Sequence, residues 1–401
     1  MSQLPPALFL SAEAPFPTVG GGALRSTSLL QYLNRHYTVD IIVFRQPGSP
    51  NPASDFPPGI ARRVSVIELP FHSRHPLSRI ARNVMRLLRN RPPLIDRFSG
   101  FSTQVASCLD PGGYDIAIVE HIWCASYVQQ LRPYSGLTVL DVHNIESTWH
   151  ERLATTESSL RGMVLRRFAS ACRKFEHKWL PQYDALLVTS EADSKLLSGT
   201  SKIIYPNALP LVPRPLKRRD DAIIFTGNLE YQPNLTAIAY FKERIWPLLR
   251  SRFPGLIWRI AGKNSDAVAS IVNDDSRIQL TGPMDDSIAT IAGAQVAAVP
   301  LLAGSGTRFK ILEAWAAGTP VVSTSIGAEG LSYTEGEHLL IADEPEKFAQ
   351  AIAFLLDEPA ARAQLAEKGR RLYESRYTWD VAWKMLTRDL SPLLSGTVST
   401  E

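Results

Sequence analysis

Short apolar, β-branched runs alternate with helical patterns along the whole chain, and this constrains the fold more than any other feature of the sequence. Strands apolar on both faces and separated by helix-length segments suit parallel sheets with helices packed against them. The runs in the first half are Ala7–Ser11, Val39–Phe44, Val64–Leu69, Asp115–Glu120, Thr138–Val142 and Ala185–Thr189. Those in the second half are Ala222–Gly227, Ile257–Ala261, Ile278–Thr281, Val296–Pro300, Pro320–Thr324 and Leu339–Ile341. Helical patterns such as Leu235–Leu249, Lys310–Ala317 and Glu346–Leu356 lie between them. No solenoid period is visible. The expected class is α/β, built from doubly wound parallel sheets.

A chain of 401 residues exceeds one ordinary core, so two domains are expected. The break is marked by Pro206–Asn207, then Pro210, Pro213 and Pro215, then the charge run Lys217–Asp221. A proline-rich, charged stretch without periodicity reads as a linker. Residues 1–205 then form an N-terminal domain and 206–376 a C-terminal one. The last helical pattern, Tyr377–Leu390 within 377–401, is expected to cross back to the first domain. Two Rossmann-like domains so joined are expected to face each other across a cleft that takes the ligands.

Composition excludes other classes. The three cysteines, Cys108, Cys124 and Cys172, are far apart, which rules out a disulfide framework and suits a reducing compartment. No run approaches the ~18 apolar residues of a membrane-spanning helix, and the start of the chain reads as a strand rather than a signal peptide. A cytoplasmic protein is expected, with the inner face of the membrane as an alternative station.

The net charge of +4 conceals local excesses: residues 71–100 sum to +6 and residues 160–180 to +5. On a helical wheel Arg79, Arg82, Arg86 and Arg89 share one face, opposite Ile80, Val84, Leu87 and Leu88. Such a helix, within residues 77–91, either rests on an anionic bilayer or covers its own domain with the Arg face turned to water. The first alternative points to a partner at the membrane, the second to one in solution. No nucleic-acid module accompanies the charge.

Two loops look built for an anion. Gly20, Gly21 and Gly22 precede a helical pattern starting at Ala23, where free N–H groups and the helix dipole favour negative charge. Arg25 sits just inside that helix. The second loop, Gly304-Ser305-Gly306-Thr307-Arg308-Phe309-Lys310, also leads into a helix. Arg308 and Lys310 fall at its start, where a cation is unfavourable by ~0.3–1 kcal/mol. Two cations there suggest a bound phosphate or diphosphate, with a pair of solvated surface cations as the competing reading. Glu313 lies deeper in that helix between Leu312 and Ala314, and a carboxylate there needs a partner if buried.

The run Lys310-Ile311-Leu312-Glu313-Ala314-Trp315-Ala316-Ala317-Gly318-Thr319-Pro320-Val321-Val322 resembles the donor-binding signature of glycosyltransferase family 4, which has the GT-B fold. Ile224–Gly227, Arg277–Pro283, Leu187–Glu191 and Tyr205–Ala208 resemble further parts of that family. The resemblance implies a retaining, metal-independent transfer of a sugar from a UDP-, GDP- or dTDP-sugar to an acceptor hydroxyl. That hydroxyl belongs to a glycan, a lipid-linked glycan or a small metabolite. By position it implies that Gly20–Gly22 approach the diphosphate and His143 contacts the donor sugar. Glu313 takes the ribose, and Pro283 and Met284 flank the base. No further cofactor is implied.

Two positions depart from the family. Ser305 stands where the signature has its first Glu, so hydroxyls of Ser305 and Thr307, or backbone N–H groups around Gly306, are expected to replace it. Asn228 and Asn234 stand where many members have an Arg and a Lys, so Arg308 and Lys310 are expected to supply the charge. No Asp-x-Asp occurs, and no metal site is expected. Glu120, His121, Arg25 and Trp149 are candidate acceptor contacts. The competing functions are a sugar-nucleotide epimerase on the same fold and a catalytically silent GT-B subunit.

Overall fold

The computed structural model describes residues 4–18, 20–73, 75–155, 159–217, 219–272, 274–303 and 309–396. It divides into two compact units, Met1–Pro206 with Trp383–Glu401, and Asn207–Ala382.

The first unit carries a seven-stranded sheet in the order β3-β2-β1-β4-β5-β6-β7. Its strands are β1 (Pro6–Ser11), β2 (Thr38–Arg45), β3 (Arg63–Glu68), β4 (Tyr114–Glu120), β5 (Ser135–Asp141), β6 (Ala185–Val188) and β7 (Ser201–Ile204). Every pairing is parallel. Central strands are buried on both faces, which is why they read as unbroken apolar runs. Strand order reverses between β1 and β4, so their carboxyl ends open the crevice where doubly wound sheets take ligands. Ser11 and Glu120 stand at those two ends, in register.

The second unit carries a six-stranded parallel sheet in the order β10-β9-β8-β11-β12-β13. Here the strands are β8 (Ala222–Thr226), β9 (Ile257–Ala261), β10 (Ile278–Leu280), β11 (Val296–Val299), β12 (Val321–Ser323) and β13 (Leu340–Ile341). Its order reverses between β8 and β11. The turn after β8 and the loop after β11 therefore share one crevice.

Three elements differ from expectation. β7 has no counterpart among the expected strands. The helix expected over Leu235–Leu249 is Gln232–Tyr240, a wider π turn over Phe241–Ile245, and then Trp246–Arg252. Pro247 offers no N–H to the turn before it, so the regular ladder is interrupted there. The first helix runs Gly21–His36, so Gly21 and Gly22 form its first turn and only Gly20 precedes it.

Candidate functional site

At the switch point of the first unit the strand ends gather four charged groups. Glu120 closes β4, Asp141 closes β5, His143 follows two residues later, and Arg25 enters from the helix Gly21–His36. All four are buried. Arg25 donates from Nε to Asp141 Oδ2 at 2.8 Å and from Nη2 to Oδ1 at 2.5 Å. Its Nη1 donates to the Tyr205 carbonyl at 2.7 Å, and its guanidinium stacks 4.7 Å from the centre of the Tyr205 ring. The sequence expectation for Arg25 is corrected accordingly. A buried cation needs a partner, and this one is committed to Asp141 and Tyr205 rather than presented to an anion or an acceptor.

His143 Nε2 lies 3.2 Å from Asp141 Oδ2 and 3.5 Å from Glu120 Oε1. Neither contact is well directed, so Nε2 and Glu120 Oε1 have no aligned hydrogen-bond partner, and the attraction is electrostatic. Ser11 Oγ donates to the other oxygen of Glu120 at 3.2 Å. Burial by itself pulls the imidazole of His143 down; the charges of Asp141 and Glu120 overcome it and push the group up to about 9. Burial raises Asp141, but Arg25 and then His143 hold it below the usual carboxylate range.

His121, one residue past β4, takes a left-handed backbone with φ 64°. Its ring stacks on Trp123 at 4.3 Å and lies 3.7 Å from His143. Burial, then the charge on His143, drives it well below the ordinary histidine value, so it is neutral. The cluster thus holds two cations and two carboxylates. Glu120, Asp141 and His143 also bring ligand atoms within 4.8 Å of one another, the spacing of a metal site. Both oxygens of Asp141 already accept from Arg25.

Gly20 has φ 95°, and a Cβ at Gly20 or Gly22 would meet no atom within 4 Å. The backbone at this helix start is therefore open to a ligand's approach. Trp149 sits on the helix Glu146–Thr155 with its ring edge-on to His150 at 4.7 Å.

In the second unit the crevice after β8 is lined differently. Lys310 Nζ donates to Asn234 Oδ1 at 2.7 Å and lies 4.3 Å from the centre of the Phe225 ring. Asn234 Nδ2 in turn donates to the Asn228 carbonyl at 2.8 Å, and the Asn228 side chain accepts from Asn264 at 2.9 Å. Gly227 lies beneath this group: a Cβ there would fall 2.8 Å from Asn234 Nδ2 and 3.5 Å from Lys310 Nζ, at φ 150°. The ammonium therefore reaches the position that Asn234 occupies without a charge of its own. Asn234 is the residue that positions it, a role that its place in the sequence, where a cation is expected, does not suggest.

Glu313 is half-buried on the helix Phe309–Ala316 and accepts from Ser287 Oγ at 2.8 Å. Burial raises its pKa, against the opposing effects of Ser287 and Lys310. Pro283 is exposed and Met284 half-buried in the loop after β10. Ser305, Gly306, Thr307 and Arg308 lie outside the described residues. The structure thus brings Lys310 and Asn228 together through Asn234, and Arg25, Glu120, His121 and His143 together around Asp141. Asp141 is absent from the residues expected at a site, although a carboxylate ending the apolar run Thr138–Leu140 is its signal.

A family model described as "Glycosyl transferases group 1" matches residues 220–358, so the second unit carries a group 1 glycosyltransferase domain. A protein of the cps region of Klebsiella pneumoniae, described as an uncharacterized 44.6 kDa protein, is 25% identical over 86% of this chain and 89% of its own. A lipopolysaccharide core biosynthesis glycosyltransferase of Rhizobium meliloti is 30% identical over 32% of this chain and 39% of its own. Among solved structures, sucrose-phosphate synthase from Thermosynechococcus elongatus superposes with a TM-score of 0.73 at 16% identity, over 98% of this chain and 100% of that one. The fold is GT-B.

Proposed function

We propose, for a GT-B chain whose second unit is a group 1 glycosyltransferase domain, a retaining and metal-independent transfer of a sugar from a nucleotide diphosphate sugar to a glycan hydroxyl. The observation that carries this reading is the placement of Lys310. Its ammonium is half-buried, held on the neutral amide of Asn234 and lodged over Gly227 at the switch point of the second sheet. A fixed cation in such a crevice stabilises a diphosphate as it leaves, which is the chemistry a metal would otherwise supply.

In this reading Lys310, with Arg308, opposes the charge developing on the diphosphate. Glu313, which accepts from the Ser287 hydroxyl, offers its carboxylate to ribose hydroxyls. Gly20–Gly22 offer backbone N–H groups to the phosphates, and His143 meets the donor sugar. Pro283 and Met284 flank the base. The acceptor hydroxyl attacks on the face the diphosphate leaves: its oxygen bonds the anomeric carbon as the bond to the diphosphate breaks, and its proton passes to the departing phosphate. The name of the Rhizobium relative, a lipopolysaccharide core biosynthesis glycosyltransferase, supports a glycan carried on a lipid as acceptor. Nucleotide sugars as donors support action in the cytoplasm.

The test is incubation of the full chain with UDP-, GDP- and dTDP-sugars, with and without a chelator, followed by NMR of the anomeric proton. Slow donor hydrolysis that keeps the anomeric configuration and survives chelation is expected. Inversion, or loss of turnover with the chelator, would overturn the mechanism. A changed sugar on an intact nucleotide would identify an epimerase, and no turnover with any donor a silent subunit.

A further inference from the structure

The helix Pro76–Leu88 buries none of its residues. An amphipathic helix on a water-soluble domain normally turns its apolar stripe inward. This one is mounted the other way. Leu77, Ile80, Val84 and Leu88 form one stripe along it and are between 49% and 72% exposed. The basic side is divided: Arg86 Nε donates to Asp96 Oδ2 at 2.9 Å with its side chain only 11% exposed and Arg82 donates to the Ser73 carbonyl at 3.1 Å, whereas Arg79 and Arg89 are exposed. The stripe Leu77, Ile80, Val84 and Leu88 is thus not what packs this helix on its own domain.

Neighbouring segments extend the apolar surface. Phe71, just before the helix, is 76% exposed. The helix Ser159–Trp179 holds the end of Pro76–Leu88 in place, with Arg167 donating to the Leu87 carbonyl at 3.1 Å, and it adds exposed Leu160 and Met163. Around them stand exposed Arg79, Arg89, Arg91 and Arg161.

We propose that this face is a docking surface for an anionic lipid bilayer, with the Leu77–Leu88 stripe entering the headgroup boundary and the surrounding arginines pairing with lipid phosphates. A contiguous apolar patch on a folded domain marks an interaction surface, and charge selects the partner. Residues 71–100 carry a net charge of +6, so a second copy would bring like charge against like, whereas an anionic membrane offers the opposite sign. Anchoring of this kind combines apolar insertion with electrostatic attraction, and the structure supplies both on one side of the first unit.

The test is co-sedimentation of the full chain with phosphatidylcholine vesicles containing about one quarter phosphatidylglycerol, against vesicles of phosphatidylcholine alone. Binding to the anionic vesicles is expected, reduced several-fold on raising the salt toward ~1 M. The double variant Ile80→Asp/Leu88→Asp is expected to lower partitioning by about tenfold or more while leaving thermal unfolding unchanged, since both side chains project into solvent. Arg79→Gln with Arg89→Gln is expected to weaken binding to the anionic vesicles alone. Equal binding by the native chain and the aspartate variant, or no preference for anionic vesicles, would overturn the proposal. So would a dimer in solution that the aspartate variant dissociates, because that assigns the face to a second copy.

Discussion

The two units treat charge at their switch points in opposite ways. In the first, Arg25, Asp141, Glu120 and His143 are all buried, and opposite charges answer one another within the fold. In the second, Lys310 and Glu313 are half-buried; Lys310 donates to Asn234, Glu313 accepts from Ser287, and the two opposite charges also act on each other. Removing a charge from water is unfavourable by several kcal/mol unless an opposite charge offsets it, so the first cluster is self-contained. A half-exposed charge in a crevice extends part of its field to whatever enters.

The largest effect should come from opening the closed cluster. Arg25→Met leaves Asp141 buried without its bidentate partner, and loss of one member of a buried pair lowers stability by about 3–5 kcal/mol. Urea unfolding followed by tryptophan fluorescence measures it. A loss under about 1 kcal/mol would mean that Arg25 does not hold the cluster together, and the contrast between the units would fail.

The opposite signature is expected at Lys310. Removing one preorganised donor to a leaving oxyanion lowers turnover by about 10²–10³-fold. Because the ammonium is half-exposed, Lys310→Ala should lower stability far less than Arg25→Met does. Unchanged turnover on a nucleotide sugar would remove the phosphate role from this residue. A large loss of stability would show that the second crevice is as self-contained as the first.

Much of this is legible in the sequence because sheet interiors write themselves as apolar runs. The strands around both switch points fall within two or three residues of where their β-branched runs place them. Only β7, whose Ser201-Lys202-Ile203-Ile204 begins polar and lies on the sheet edge, leaves no such run. The site is less legible, since spacing along the chain says nothing about which partner a charge finds. Arg25 and Lys310 look alike in sequence, each a cation near a glycine-flanked helix start. Asp141, a further 116 residues along the chain, claims the first, whereas the amide of Asn234 receives the second. The orientation of Pro76–Leu88 is hidden for the same reason: a helical wheel gives two faces, and only Asp96 and Ser73 decide which one turns inward.

A finer measurement of the closed cluster is its pH dependence. His143 is raised to about 9 in the folded protein from an ordinary value near 6.5. Between those values the folded chain keeps a proton that the unfolded chain has released. The stability this supplies is complete below 6.5, declines as the pH rises, and is gone above about 9. Each tenfold gain in proton affinity is worth roughly 1.4 kcal/mol, so the whole effect is at most a few kcal/mol. His121, stacked against it and held neutral, has the opposite sign: it weakens the fold only as the pH falls below its unfolded value. Subtracting the urea-unfolding profile of His143→Gln from that of the native chain isolates the first effect, since His121 dominates on the acid side. The difference should be largest near pH 6.5 and vanish toward about pH 9. Parallel profiles across that window would mean an uncharged imidazole, leaving Glu120 and Asp141 to share Arg25 alone. The first unit would then carry an uncompensated carboxylate at its switch point, and the contrast between the two switch points would no longer hold.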